Sequence, residues 1–243
     1  LFEKNAHEQL PPASMTKIMT MLIMMEEIDK GRLSLDEKIR VSERASSMGG
    51  SQIFLEAGEE MTVEDLLKGI AIASGNDASV AIAERISGSE EAFVQRMNEK
   101  AKELKLENTK FQNSSGLPAK DHYSTAYDMA IMAKELLKYD MITEYTSIYE
   151  DYLRKGQKNE FWLVNTNKLV RFYPEVDGLK TGYTSEAKYC LTATALKDDM
   201  RVIAVVMGAP TVKERNVTVT AMLDYAFNHY QSHKLYDKGD TIT

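Results

Sequence analysis

Ser14-Met-Thr-Lys17 sets an amine three residues after a hydroxyl, a spacing that brings both side chains to one face of a helix. A serine hydroxyl is a poor nucleophile until a base takes its proton, and a lysine is such a base only when neutral. Free lysine titrates near ~10.4, so burial or a nearby cation must lower it. Lys180, in Lys180-Thr-Gly182, is that cation if the chain folds it close. Ser74-Gly-Asn76 adds a hydroxyl to pass a proton to a leaving amine and a carboxamide to hold a substrate amide. Lys180 and Thr181 together suit a carboxylate. Ser14, at the amino end of its helix, offers its own backbone N–H to a developing oxyanion, and Tyr183, just past the third motif, is the natural second donor. The set describes acyl transfer through a serine.

Each motif alone is weak, since S-x-x-K arises about once by chance in a chain this long. Ser185-Glu-Ala-Lys188 is such an accident. Position therefore decides. Ile18, Leu22, Met25 and Ile28 form a helical stripe over residues 14–30, with Gly31 as a stop and Pro11-Pro12 fixing an extended approach. The methionines Met15, Met19, Met21, Met24 and Met25 read as core filling. Thr62-Val-Glu-Asp65 resembles a cap ahead of Leu66, Leu67, Ile70 and Ile72, and Gly75 breaks that helix before residues 77–86 resume it, so the second motif falls in the break. Residues 89–106 and 124–137 read as two further helices. Residues 161–170, 189–196 and 201–207 are rich in Val, Ile, Thr and aromatics, the last two reading as an antiparallel hairpin with the third motif on a strand entering it. Residues 212–230 return to helix. The expected architecture is α+β: an antiparallel sheet covered by helices, with an inserted all-α lobe at about 40–160 inside a domain spanning 1–230.

The chain has 243 residues, 43% of them hydrophobic, enough for a substantial core. A net charge of -7 argues against nucleic acid, whose phosphates call for clustered Lys and Arg. The single cysteine, Cys190, sits in an apolar run and reads as a packed thiol. The longest apolar run, residues 18–25, is too short for a bilayer, which takes ~20 residues. The sequence opens on Leu1 without a basic and apolar leader and ends in a polar stretch, so it reads as a piece of a longer precursor, with 231–243 the start of a further β-rich domain or a linker. His229 and His233 share an i, i+4 spacing but no acidic third ligand accompanies them, so no metal is expected.

Pro12-Ala-Ser14-Met-Thr-Lys17, Ser74-Gly-Asn76-Asp77-Ala78 and Asp177-Gly-Leu-Lys180-Thr-Gly182 resemble the low-molecular-mass penicillin-binding proteins, the serine D-alanyl-D-alanine carboxypeptidases. The resemblance runs over nearly the whole chain, through Val205-Val-Met-Gly-Ala209 to Arg215, where the family's substrate-carboxylate arginine falls. It implies the serine β-lactamase/D,D-peptidase-like fold and removal of the terminal D-Ala of peptidoglycan stem peptides through an acyl-serine, with β-lactams as slow substrate mimics. In that carry-over Ser14 is nucleophile and Lys17 base, Ser74 and Asn76 assist, and Lys180, Thr181, Gly182, Tyr183 and Arg215 bind substrate. No cofactor is implied, and the setting is extracytoplasmic, with membrane attachment only through segments outside this sequence. Many members carry Ala-Gly where this chain has Ala187-Lys188. A class A β-lactamase shares the motifs, but its Glu-x-x-x-Asn loop has no counterpart here. A D,D-endopeptidase of the same family and a β-lactam-binding module without turnover also fit these motifs.

Overall fold

The computed structural model describes residues 1–233 and residue 235; most of 231–243, expected to begin a further β-rich domain or a linker, lies outside the described residues. A 3-10 turn, Ala13–Thr16, runs directly into helix α1, Lys17–Asp29. Residues 17–25 are buried all round, as befits a helix whose apolar residues cover every face. The five methionines at its start are 0–1% exposed, each a core side chain contributing about 1.5–3 kcal/mol of burial. Gly31 ends the helix in the left-handed region (φ 67°). Pro12 departs from the extended approach expected of it: ψ is -12°, which starts the tight turn one residue earlier.

After α1 come β1 (Lys38–Arg40), α2 (Glu43–Ser46), β2 (Glu60–Thr62), α3 (Val63–Ala71), α4 (Asn76–Ser87), α5 (Glu90–Glu103), α6 (Ala126–Leu136) and α7 (Met141–Thr146), of which α3, α4, α5 and α6 pack against α1. Their beginnings are written in the sequence. Thr62, Ser89 and Thr125 each accept, on the side-chain oxygen, the N–H three residues on, caps that contribute about 1 kcal/mol apiece. The expected break between α3 and α4 is present, with Ser74 in the left-handed region (φ 64°) and Gly75 as the residue before α4. At the head of α4 the buried Asp77 carboxylate accepts the N–H groups of Ile53, Leu55 and Ala78, pinning residues 53–55 beside the break.

This region is not purely helical. β1 and β2 form an antiparallel ribbon, and β3 (Glu150–Leu153) pairs with β4 (Phe161–Val164) in another. The strand expected over 161–170 stops at Val164. Asn165 Nδ2 donates to Thr146 O and Ile148 O, its Oδ1 accepts the Asn167 N–H, and Asn167 Oδ1 accepts the Leu169 N–H, so two asparagine side chains replace the ladder. A short helix, α8 (Leu169–Phe172), follows.

β5 (Val176–Thr184), β6 (Lys188–Lys197) and β7 (Met200–Ala209) form an antiparallel sheet in that order, and α9 (Val212–His229) closes the described chain. Alternation divides β6 between two cores. Leu191, Ala193 and Ala195 meet Val219, Leu223 and Ala226 of α9 on one face, while Cys190, Thr192 and Thr194 face the other, where Thr192 donates to Met15 Sδ. Cys190 is fully buried, and burial pushes its thiol pKa up. Because α9 ends at His229, His233 lies beyond it and the i, i+4 pairing of the two imidazoles on one helical face does not form; His229 instead stacks on Tyr225. Among the described residues no helix is long and apolar enough to cross a membrane.

Candidate active site

Ser14 lies in the 3-10 turn, where it makes no side-chain cap; its Oγ accepts from Lys17 Nζ at 3.0 Å instead. Lys17 is fully buried and has two further partners, Asn76 Oδ1 at 2.7 Å and Ser115 O at 2.7 Å. Asn76 Nδ2 donates to Gly49 O, which turns Oδ1 toward the lysine. The partner set constrains the proton. A neutral amine has two N–H bonds and one lone pair, and the two carbonyl oxygens can only accept. When Lys17 is neutral, both N–H bonds go to Asn76 and Ser115, and the lone pair is left facing Ser14 Oγ.

Burial is the largest influence on Lys17 and holds its pKa well below the ordinary lysine value; the charge of Lys180 lowers it further and Asp77 opposes both. Lys180, the cation expected from the sequence, thus acts second to desolvation. Buried on β5, it is itself brought down to about 7 by burial and then by Arg215. Its Nζ donates to Thr181 O at 3.0 Å. Thr181 Oγ1 donates to Thr166 Oγ1 at 2.7 Å, so the turn after β4 orients the threonine. Arg215, in the first turn of α9, is 4% exposed, and its Nε and Nη2 both donate to Asn216 Oδ1. Ser74 Oγ is the one buried side-chain polar atom among the described residues without a hydrogen-bond partner. A buried hydroxyl left unpaired costs about 1–3 kcal/mol, which suits a group whose partner arrives with a ligand.

Tyr183 follows Gly182 on β5; the residue is 55% exposed, and its ring packs against Tyr189 at 4.5 Å between centroids. β5 is an edge of its sheet and lies against the turn that carries Ser14. Gly182 makes that approach possible: a Cβ there would stand 2.7 Å from Pro12 O and 3.2 Å from Met15 N. Gly116 does the same from the other side, where a Cβ would be 1.9 Å from Ala13 O. The nucleophile turn is thus held between two stretches of bare backbone. Beside it runs a groove of about 550 Å³ lined by Leu10, Ala13, Gly116, Leu117 and Thr184 among others.

Ser115, Gly116 and Thr166 join the site without having been expected from the sequence. Ser115 contributes a backbone carbonyl, for which no residue type is diagnostic; Ser-Ser-Gly at 114–116 was the only visible signal. The chance motif resolves as expected of an accident: Ser185 and Lys188 are exposed, at the turn from β5 to β6. Lys188 has φ 56°, the left-handed region glycine prefers, which puts a cost of about 1–2 kcal/mol on the lysine.

An edge strand against a serine with its own amine, together with an unpaired hydroxyl and two further buried basic side chains, is an arrangement able to carry acyl transfer through a serine, as the resemblance to the penicillin-binding proteins implies. The D-alanyl-D-alanine carboxypeptidase family, peptidase S11, matches residues 1–211, and the chain belongs to that family. The D-alanyl-D-alanine carboxypeptidase DacF of Bacillus subtilis is 66% identical over 242 residues, covering 100% of this chain and 62% of that protein. DacC of Escherichia coli is 38% identical, covering 96% of this chain and 59% of its own length. The chain thus spans about three-fifths of these curated relatives. Penicillin binding protein 5 of Haemophilus influenzae superposes with a TM-score of 0.91 at 34% identity, over 100% of this chain and 71% of that one. A mutant of the Streptomyces K15 DD-transpeptidase gives 0.87 at 28%, over 94% and 92%. The α+β expectation and the family resemblance both hold.

Proposed function

We propose that this chain carries the catalytic machinery of a serine D-alanyl-D-alanine carboxypeptidase that removes the terminal D-Ala of peptidoglycan stem peptides outside the cytoplasm. The observation that carries the reading is the Lys17 amine, buried with Ser14, Asn76 and Ser115 as its partners so that its neutral form can only take the Ser14 proton. Ser14 Oγ attacks the carbonyl between the two D-Ala residues as Lys17 removes its proton, and the Ser14 and Tyr183 N–H groups receive the oxyanion. Ser74, whose hydroxyl has no partner among the described residues, passes the proton to the departing amine. Asn76 and the edge of β5 hold the peptide in strand-like pairing. Lys180, Thr181 and Arg215 take the terminal carboxylate, and Gly182 lets β5 close on the serine. Water then releases the acyl group; each step is assigned to the chain's own side chains and backbone, with no metal or organic cofactor called for. The names of the relatives, several of them D-alanyl-D-alanine carboxypeptidases, support the choice of substrate.

Benzylpenicillin, which presents a carboxylate beside a strained amide, enters the same way but leaves slowly, because nothing corresponds to the deacylating glutamate loop. The test is D-Ala release from a diacetyl-Lys-D-Ala-D-Ala peptide by the wild type and by Ser14→Ala, together with mass spectrometry of the penicillin adduct. Release by the wild type alone, with an adduct persisting for many turnovers' time, is expected. Equal and negligible release by both proteins would leave a binding module, and rapid turnover of penicillin would leave a β-lactamase.

A further inference from the structure

Residues 111–122 leave and rejoin the fold at one place, where Lys110 and Tyr123 exchange backbone hydrogen bonds of 2.9 and 3.1 Å. This loop delivers Ser115 O to Lys17 and Gly116 to the nucleophile turn. At its return end His122 is buried, with its ring edge-on to Phe111. Its Nδ1 accepts the Gln112 N–H at 2.9 Å. A backbone N–H only donates, so the neutral ring must carry its hydrogen on Nε2. That nitrogen stands 2.7 Å from the Oγ1 of Thr16, which lies between Ser14 and Lys17 in sequence, and donates to it. One imidazole therefore joins both arms of the loop to the turn of the nucleophile. It makes the only side-chain hydrogen bond, among the described residues, between this loop and residues 13–16.

We propose that His122 is a positioning residue for acylation of Ser14: by tying Thr16 to the loop it fixes where the Ser115 carbonyl sits against Lys17, and so which way the lysine's lone pair points. The inference rests on the acyl-serine reading above. Burial supports it by holding the imidazole pKa down to about 4, so Nδ1 keeps the lone pair that accepts the Gln112 N–H across the working range. Other fastenings keep the loop folded without it. Thr20 donates to Ser114 O, Ser114 donates to Glu90, and Asn113 Oδ1 accepts from the Ser115 and Gly116 N–H groups. Loss of His122 therefore loosens the loop's placement and leaves the fold standing.

Four variants separate the links. His122→Ala removes both, His122→Asn keeps an acceptor for Gln112 but is too short for Thr16, and His122→Gln keeps a donor that reaches Thr16. Thr16→Val, nearly isosteric, removes the bond from the other side. The second-order rate of benzylpenicillin acylation is measured against pH, with thermal melting in parallel. Ala, Asn and Val proteins are expected to acylate roughly tenfold more slowly, with the Gln protein recovering most of the rate. Their acid limb should move to lower pH, because a carbonyl that accepts from the ammonium form favours that form, and loosening it lowers the Lys17 pKa while Lys180 and Asp77 stay in place. Wild-type rates and an unmoved limb in His122→Ala and Thr16→Val, whatever their melting temperatures, would overturn the proposal. A wild-type protein that penicillin does not acylate would instead overturn the acyl-serine reading, and this one with it.

Discussion

Lys17→Met is expected to react with benzylpenicillin roughly a thousandfold more slowly than the wild type, while keeping the wild-type circular dichroism. Methionine matches the buried stem of the lysine without the amine, so packing in α1 survives and the Ser14 proton loses its acceptor. The wild-type acid limb follows from the same group. Only the neutral amine is a base, so the rate falls as pH drops through the Lys17 pKa, which burial and the Lys180 charge hold well below the ordinary lysine value. Removing the cation by Lys180→Met takes away one of those influences, raises the Lys17 pKa, and moves the acid limb to higher pH. Lys180 itself titrates at about 7 before substrate binds. An arriving carboxylate raises that value, so substrates with a terminal carboxylate bind progressively less well above it. The pH profile of kcat/KM for wild type and Lys180→Met checks both limbs; an acid limb that stays put in the variant would show that the two lysines do not sense each other.

Gly116→Ala should be the most damaging methyl group that can be added to any glycine among the described residues. The added Cβ would lie 1.9 Å from Ala13 O, 2.3 Å from Ala13 C and 2.9 Å from Ser14 N, all backbone atoms that no rotamer change can move. Its φ of 90° adds strain. Either the loop or the nucleophile turn must shift, at a cost of about 3 kcal/mol or more, beyond the range of ordinary substitutions. Gly156→Ala is the control, since φ is 75° there but nothing lies within 4 Å. That change carries only the backbone penalty of about 1–2 kcal/mol. Urea denaturation and penicillin acylation read the two effects. The Gly116 variant should lose both stability and rate, and the Gly156 variant a little stability alone. Equal denaturation midpoints for the two would mean that the contact between loop and turn is not as close as the structure has it.

What could be read in advance was whatever a side chain announces. Ser14, Lys17, Ser74, Asn76 and Lys180 stood out because hydroxyls, amines and amides at helix starts, breaks and strand edges carry a pattern. The cap at Thr62 was equally plain. Three kinds of feature left no such trace. Ser115 acts through its carbonyl, which every residue possesses. Asn165 and Asn167 terminate a strand by bonding across to α7 and β5, partners unknowable before the fold is formed. The ribbons of β1 with β2 and of β3 with β4 have only three or four residues per strand, too few for a periodic signal. Arg215 came from family resemblance and not from any local pattern, since an arginine in the first turn of a helix is ordinary until the sheet beside it is known.

The burial of α1 on every side has a consequence for how this protein would fail. Amide protons in the middle of that helix are sealed from solvent on every side, whereas the loop carrying Ser115 has an exposed stretch at residues 118–121 and is fastened by a handful of hydrogen bonds, so it is expected to open locally at lower free energy. Lys17, the first residue of that helix, is therefore rooted in the part that comes apart last, while the Ser115 carbonyl that aims its amine belongs to a part that opens earlier. Opening of that loop would leave the chain compact and Lys17 in its place, with the amine no longer aimed at Ser14.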